Sequence, residues 1–377
     1  MRILQAFDFL SLPHGGGTVD IVYRLSQALA RRGHEVTVCI GDFEFDQDYI
    51  DLLSDVKVYV SHSWLNSYGL YIMPGLLKLD VSKFDVIHLH CYRSFQNTVI
   101  CRKAKLCGIP YIIDAHGSTV DLGGNKQTIK RLYDLVFGYK LLETASRVIA
   151  ETEVGVAEYK RLGVDSNKIA LIHPLLDTEE FAVLPQAGYF RSKYNIGERY
   201  IVLFVGRIHW AKGLEVLVDA VYKLNRQDVC LVIIGQDDGF RATLEKLAIE
   251  RGIFNKVVFT GFITGDNKLS ALVDANVLVQ PSKNEAGARP SLEAILCDTP
   301  IIVTKNTGAG KEIASFNGGY LVEYGDADEL STTIHHILEY PSEAKKKTKK
   351  AKEHIKANLS FDKQVGKYEE LYKEVML

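Results

Sequence analysis

The sequence is poor in the features that would tie it to several common classes of protein. Its six cysteines, Cys39, Cys91, Cys101, Cys107, Cys230 and Cys297, include no C-x-x-C pair and no metal-ligand spacing. That pattern excludes a zinc module and predicts reduced core thiols of a cytoplasmic protein. Charge of either sign is not in excess: 45 Lys and Arg oppose 47 Asp and Glu, for a net charge of -2, so no nucleic-acid partner is expected. Long apolar runs are missing too. A spanning helix needs about 20 mostly apolar residues, and the longest charge-free stretch, Val58 to Leu77, is interrupted by "SHSWLNSYG" and "MPG". The opening "MRILQAFDFL" meets Asp8 before an apolar core of signal-peptide length has built up; it reads as a first strand, not an export signal.

What is present is an ordinary soluble composition, 47% hydrophobic and 24% charged over 377 residues, which suggests two domains at roughly 150 residues each. Short β-branched runs, "RILQAF", "HEVTVCI", "DVIHLH", "PYIIDAH" and "RVIAET", alternate with helical patterns such as Thr18 to Arg32, where Ile21, Val22, Leu25 and Leu29 repeat at helical spacing. A second series, "YIVLFVG", "CLVIIG", "KVVFTG", "ANVLVQP", "TPIIVT" and "GYLVEYG", follows. Two parallel-sheet α/β domains result: residues 1–180 and 199–360, joined by a linker at 181–198.

Ligands of open parallel sheets gather outside the carboxyl ends of the strands, where this chain places glycine-rich loops. "PHGGGTVD" follows the first strand, but it lacks G-x-G-x-x-G and is weak support for a dinucleotide. "VGRIHWAKGLE", "IGQDDGF" and "FTGFITG" follow later strands. In "SKNEAGARPSLEAILCDTP", Pro290 suits a first helical turn, so Ala286, Gly287, Ala288 and Arg289 would offer unpaired N–H groups to an anion. Glu285 before that turn and Glu293 within the helix could accept hydrogen bonds from hydroxyls. Amides for phosphate and two carboxylates for hydroxyls describe a nucleotide sugar.

Glu285 and Glu293 are separated by seven residues, and this element, with "DAHG" at Asp114 to Gly117, "GRIHWAKG" at Gly206 to Gly213 and a final "SFDKQVGKYEELYKEV", resembles the E-x7-E pattern of retaining GT-B glycosyltransferases of family 4. The resemblance covers nearly the whole chain. It implies an α/β GT-B fold: two Rossmann-like domains facing across a cleft, with 361–377 as a helix returning to the first. It further implies that Arg207 and Lys212 grip the donor diphosphate, Glu285 holds the transferred sugar, Glu293 holds the ribose, and His116 sits beside the anomeric carbon. Gly16 and Gly17 would bring first-domain amides to the phosphates, and Gly206, Gly235, Gly261, Phe262, Ile263, Gly287, Ala288 and Arg289 would line the nucleotide-sugar site. No cofactor and no metal are expected, because fixed cations and amides can stabilise the departing phosphate. The chain departs from the pattern at Ala286, where glycine is usual, in the missing loop aromatic, and in "IHPLLD" for "IPNGVD".

Other readings stay open. The chain could be a non-catalytic nucleotide-sugar-binding partner of another transferase, or an epimerase of the same fold. His88 and His90 suggest half-buried core histidines, while His90 and Arg93, near the expected cleft mouth, are acceptor candidates. "DQD" at Asp46 to Asp48 and "DAD" at Asp326 to Asp328 imitate a metal motif, but Asp326 with Glu329 makes a capping pair and Asp46 lies in a polar loop. The acceptor is expected to be a glycan or a lipid-linked molecule. Peripheral contact with the cytoplasmic membrane face has two potential carriers. One is the crowded Trp64, Leu65, Tyr68, Leu70, Tyr71, Ile72 and Met73, otherwise packed under a loop. The other is the seven lysines between Lys345 and Lys356, otherwise a solvated helix face.

Overall fold

The computed structural model describes residues 1–10, 12–43, 47–67, 70–119 and 127–377. The chain divides into two compact units, Met1–Leu175 with Phe361–Leu377, and Leu176–Ser360.

The first unit is built on a seven-stranded sheet of order β3-β2-β1-β6-β7-β8-β9. Its strands are β1 (Arg2–Ala6), β2 (Glu35–Gly41), β3 (Val56–Ser61), β6 (Val86–His90), β7 (Tyr111–Asp114), β8 (Arg147–Ala150) and β9 (Ile169–Leu171), with β4 (Leu65–Ser67) and β5 (Leu70–Ile72) forming a separate hairpin. Every pairing in the large sheet is parallel, as in Ile3 opposite both Val36 and Val86. Covered on both faces, such strands read as unbroken apolar runs, and β6 is buried at all five positions. The second unit has a six-stranded parallel sheet of order β12-β11-β10-β13-β14-β15. Its strands are β10 (Tyr200–Val205), β11 (Val229–Ile234), β12 (Val257–Gly261), β13 (Val277–Gln280), β14 (Ile301–Thr304) and β15 (Tyr320–Val322).

In both sheets the chain moves outward in one direction and then crosses back beside its starting strand. That reversal lies between β1 and β6 in the first unit and between β10 and β13 in the second. Loops on its two sides diverge there and leave a crevice beyond the strand ends.

Four differences from the sequence reading have physical causes. The first helix starts at Leu12, not Thr18, so Gly16 and Gly17 lie inside Leu12–Arg31 and not ahead of it; helix propensity is a weak prior that context overrides. Residues 181–198 are no free linker, because Phe181, Phe190 and Ile196 belong to the core of the second unit. β3 and β9 are strands that the periodicity did not reveal, since half-buried edge strands carry a mixed pattern (β3, "VKVYVS", buries only Ser61). His88 and His90 are not half-buried but have no exposed surface at all.

The helix Phe361–Met376 places Val365, Tyr368, Leu371 and Tyr372 in the first unit's core. Polar pairs secure its outer side, including Glu369 with Arg32 and with His34 at 2.7 Å. Among the described residues no helix is long and apolar enough to cross a membrane.

Candidate active site

In the second unit, the loop after β10 and the loop after β13 carry the charged residues, one on each side of the strand reversal. The first begins at Gly206 and contains Arg207 and Lys212. Gly235 follows β11 so closely that a Cβ there would lie 1.8 Å from the Gly206 carbonyl oxygen, and Ile208 N–H donates to the Gln236 carbonyl at 2.8 Å. Only glycine fits such an approach. Arg207 is consequently held beside Asp238, with Nη1 to Oδ2 at 2.8 Å.

Lys212 ends a short 3-10 turn, Trp210–Lys212, whose cap is Gly213 at φ 65°. A Cβ on Gly213 would come within 2.2 Å of the Pro281 carbonyl, so this glycine lets the Lys212 loop lie directly on the loop that follows β13. Lys283 N–H donates to the Ala211 carbonyl at 3.0 Å across the same junction. Through this contact Lys212 Nζ reaches Glu285 Oε2 at 2.7 Å, and Ser282 Oγ donates to the same oxygen at 2.9 Å.

Glu285 is supported from below by the helix Gly308–Ser315: Ala309 N–H donates to the Glu285 carbonyl at 3.3 Å, and a Cβ on Gly308 would meet the Ala286 carbonyl at 2.1 Å. That helix also supplies a residue the sequence reading missed. Buried Glu312 accepts from Ala288 N–H at 3.2 Å, so Ala288, expected to offer a free amide, has already given it to a carboxylate at the positive end of the helix Arg289–Leu296. A glutamate 24 residues downstream carries no local signal of this role. Ala286, Gly287 and Arg289 remain partly exposed at that end.

Within that helix Glu293 is buried between two cations: Lys268 Nζ lies 2.9 Å from Oε2 and Arg289 Nε 3.2 Å from Oε1. Burial alone would raise its pKa, but Lys268 and Arg289 together hold it below the usual glutamate value. The carboxylate stays charged and keeps lone pairs for further donors. Nearby, Gly261 ends β12 at φ 74°, Phe262 is exposed, and Ile263 packs partly on the core.

The first unit gathers its charges differently. His116 follows β7 at φ 46°, unusual for a residue with a side chain. Its imidazole is bonded at both nitrogens: Nδ1 to Glu151 Oε1 and Nε2 to His90 Nδ1, each at 2.8 Å. His90 Nε2 in turn faces Gln5 Oε1 at 2.8 Å. Neighbouring carboxylates favour the doubly protonated form of His116, whose Nε2–H then donates to the bare Nδ1 of a neutral His90. His116 is then a donor at both nitrogens, an imidazolium. Burial alone would lower its pKa, but Asp114 and Glu151 raise it, whereas burial drives His90 well below the ordinary value, assisted by the charges of His88 and His116. Asp114, fully buried, is pushed up to about 7 by desolvation, and its Oδ2 accepts from Tyr368 at 3.3 Å. His88 Nδ1 meets Tyr372 at 2.8 Å.

This arrangement corrects two acceptor candidates. His90 is buried with both nitrogens occupied, so it acts on His116 and cannot meet an acceptor. Arg93 is spent inside the unit, bidentate to Asp134 at 2.9 and 2.7 Å and donating to the Ser118 carbonyl at 2.6 Å. Asp114, His116 and Glu151 each place a donor atom within 4.8 Å of the others, the spacing at which a cation could be held; here the hydrogen bond between His116 and Glu151 accounts for their approach. Of the metal-like motifs, Asp326 is a helix cap accepting from Asp328 and Glu329 N–H at 3.1 and 2.8 Å. Asp46 lies outside the described residues, as does Tyr68.

Each unit is an open parallel sheet with charged groups beyond its strand ends, the arrangement of the GT-B fold. Residues 189–354 match the model of glycosyl transferases group 1, and residues 15–180 match that of glycosyltransferase family 4. The chain belongs to this family. It is 26% identical over 337 residues to an uncharacterized glycosyltransferase of Methanocaldococcus jannaschii, covering 86% of this chain and 85% of that one. It is 22% identical over 378 residues to the N-acetyl-alpha-D-glucosaminyl L-malate synthase of Bacillus anthracis, covering 97% and 95%. The crystal structure of Anabaena HepE in complex with UDP and glucose superposes with a TM-score of 0.83 at 17% identity, covering 99% of this chain and 100% of that one.

Proposed function

We propose that the protein is a retaining, metal-independent hexosyltransferase that moves a sugar from a UDP- or GDP-sugar to a glycan or lipid-linked acceptor in the assembly of a cell-surface polysaccharide, glycolipid or glycoprotein, working on the cytoplasmic side. The observation that carries this reading is the Lys212–Glu285 contact at 2.7 Å beside the start of the helix Arg289–Leu296. A cation, a hydroxyl acceptor and helix amides there match the three parts of a sugar diphosphate. The sugar–phosphate bond breaks with its electrons on the departing nucleoside diphosphate; Lys212 and Arg207 neutralise that charge more than they stabilise the ground state. Glu285 accepts from sugar hydroxyls and Glu293 from the ribose. The departing phosphate takes the acceptor's proton on the same face, so no carboxylate nucleophile is needed. His116, its two nitrogens held by Glu151 and His90, acts through its positive charge and not as a donor to the sugar. That the Anabaena protein was crystallised with UDP and glucose supports placing UDP-sugars first among the donors.

Thermal unfolding with a panel of UDP-, GDP- and ADP-sugars, with Glu293→Ala in parallel, tests the reading. Stabilisation by one nucleotide series, lost in the variant, is expected. The product should keep the donor's anomeric configuration and form at full rate in EDTA. Absence of any response across the panel refutes the donor assignment, and an inverted product refutes retention.

A further inference from the structure

His116 sits in a turn that the backbone alone does not favour, its φ of 46° lying in the left-handed region. One carboxylate ties that turn to the end of β7. Asp114 Oδ1 accepts from the His116 backbone N–H at 3.3 Å and lies 3.4 Å from the ring Nδ1. The other oxygen, Oδ2, accepts from the Tyr368 hydroxyl at 3.3 Å, 254 residues further along the chain. Asp114 and Tyr368 have no exposed surface. Bulk water therefore cannot replace that hydroxyl, and among the described residues no other side chain donates to Oδ2.

A buried carboxylate keeps its charge only where donors stand in for its lost hydration. Desolvation, the largest influence on Asp114, pushes it up to about 7, so near neutral pH the group stands between its two forms. The Tyr368 hydrogen bond favours the charged form, and the charged form attracts the His116 imidazolium. The other titratable groups around the pair are His88 and His90 of β6, Cys91 beyond it, Glu151 after β8, Tyr159 of the helix Glu153–Arg161, and Tyr372 one turn along the final helix. Glu151 works against the charge on Asp114. The Tyr159 hydroxyl is turned to the Ala115 N–H at 3.1 Å, and that of Tyr372 to His88 Nδ1 at 2.8 Å. Tyr368 alone of these side chains bonds to the carboxylate from the side away from His116.

We propose that Tyr368 is a positioning residue of the candidate active site, holding Asp114 in the orientation that pins the His116 turn and faces its imidazolium. The inference rests on the reading of His116 as a charged group of the transfer site, and its first test needs no transfer. The imidazole resonances of His116 in the full-length chain, assigned by their loss in His116→Gln, are titrated by NMR in the wild type, Tyr368→Phe and Tyr372→Phe. Both substitutions delete one buried hydroxyl from the same helix and keep the ring, but only the first removes a bond to Asp114. The midpoint for His116 should fall by roughly 0.5 to 1 pH unit in Tyr368→Phe and stay in place in Tyr372→Phe. Asp114→Asn should lower it too, and adding Tyr368→Phe to that variant should change nothing further, because both act through one carboxylate. The basic limb of the pH–rate profile for sugar transfer should follow the same order. An equal midpoint in Tyr368→Phe and wild type overturns the inference, as does an equal fall in both tyrosine variants or an additive fall in the double variant. A fall in the midpoint with an unmoved pH–rate profile upholds the coupling and instead removes the His116 charge from the transfer reaction.

Discussion

The two units repeat one architecture yet keep their charges in opposite ways. Around the strand reversal of the second unit, Arg207 and Asp238 are 59% and 43% exposed, and Lys212 and Glu285 19% and 21%. A surface ion pair contributes about 0–1 kcal/mol, so Arg207 is not committed to Asp238 and can turn to a phosphate at little cost, while Lys212 and Glu285 keep partial exposure through which a ligand can reach them. In the first unit His116 and Asp114 are 2% and 0% exposed and locked to Glu151, His90 and Tyr368. A buried network of that kind is costly to break and holds a single geometry. One unit offers groups that can change partners; the other offers a group that is already oriented.

The comparison breaks most sharply at the movable groups. Lys212→Ala and Glu285→Gln should each lower sugar transfer by about 10²–10³, the range for loss of one polar transition-state contact, while thermal unfolding stays near wild type. Full activity in both would remove the site from these loops. Next is the junction that brings the two loops together. Gly213→Ala forces a Cβ toward the Pro281 carbonyl at a left-handed φ, and should cost about 1–3 kcal/mol of stability together with donor-induced stabilisation. Retention of both would show that the loop approach is incidental.

The fixed group is tested more gently. Glu151→Gln removes one of the two carboxylates that keep His116 protonated. The basic limb of the pH–rate profile should move to lower pH by as much as the pKa of His116 falls. An unmoved profile with normal kcat would mean that Glu151 only fills space.

The smallest effect, and the one that separates the units most cleanly, is the pH dependence of stability. Glu293 titrates below its ordinary 4.5 when folded. Its stabilising contribution is therefore complete above 4.5 and disappears as pH falls through the lower folded value, so Glu293→Gln should flatten the acid loss of melting temperature. Asp8, raised to about 7 by burial in the first unit, has the opposite sign. Folding favours its protonated form, an advantage present below 3.8 and lost as pH rises to about 7. Asp8→Asn should thus gain stability relative to wild type as pH rises from 3.8 to about 7, and a parallel loss across that range would contradict the sign.

Much of the site was legible because its chemistry is local. A strand ending in glycine, a cation six residues further on, and a helix start flanked by two glutamates can each be read within one loop. The Glu285 and Glu293 loop, Lys212 and Arg207 all lie in such segments. Less legible were Glu312, which occupies the Ala288 amide from another helix, and Arg93, whose exposed reading ignored Asp134 at a distance of 41 residues in the chain.

The sequence by itself determined the two parallel sheets, the succession of their main strands along the chain and the loops that carry the charged residues, because hydrophobic period and glycine positions act over a few neighbouring residues. The tertiary structure alone decided which side chains pair, which are buried and which proton each histidine holds. Those depend on atoms brought together from distant segments, as when Tyr368 of the final helix reaches Asp114 across 254 residues of chain, and desolvation at the meeting point then sets the charge.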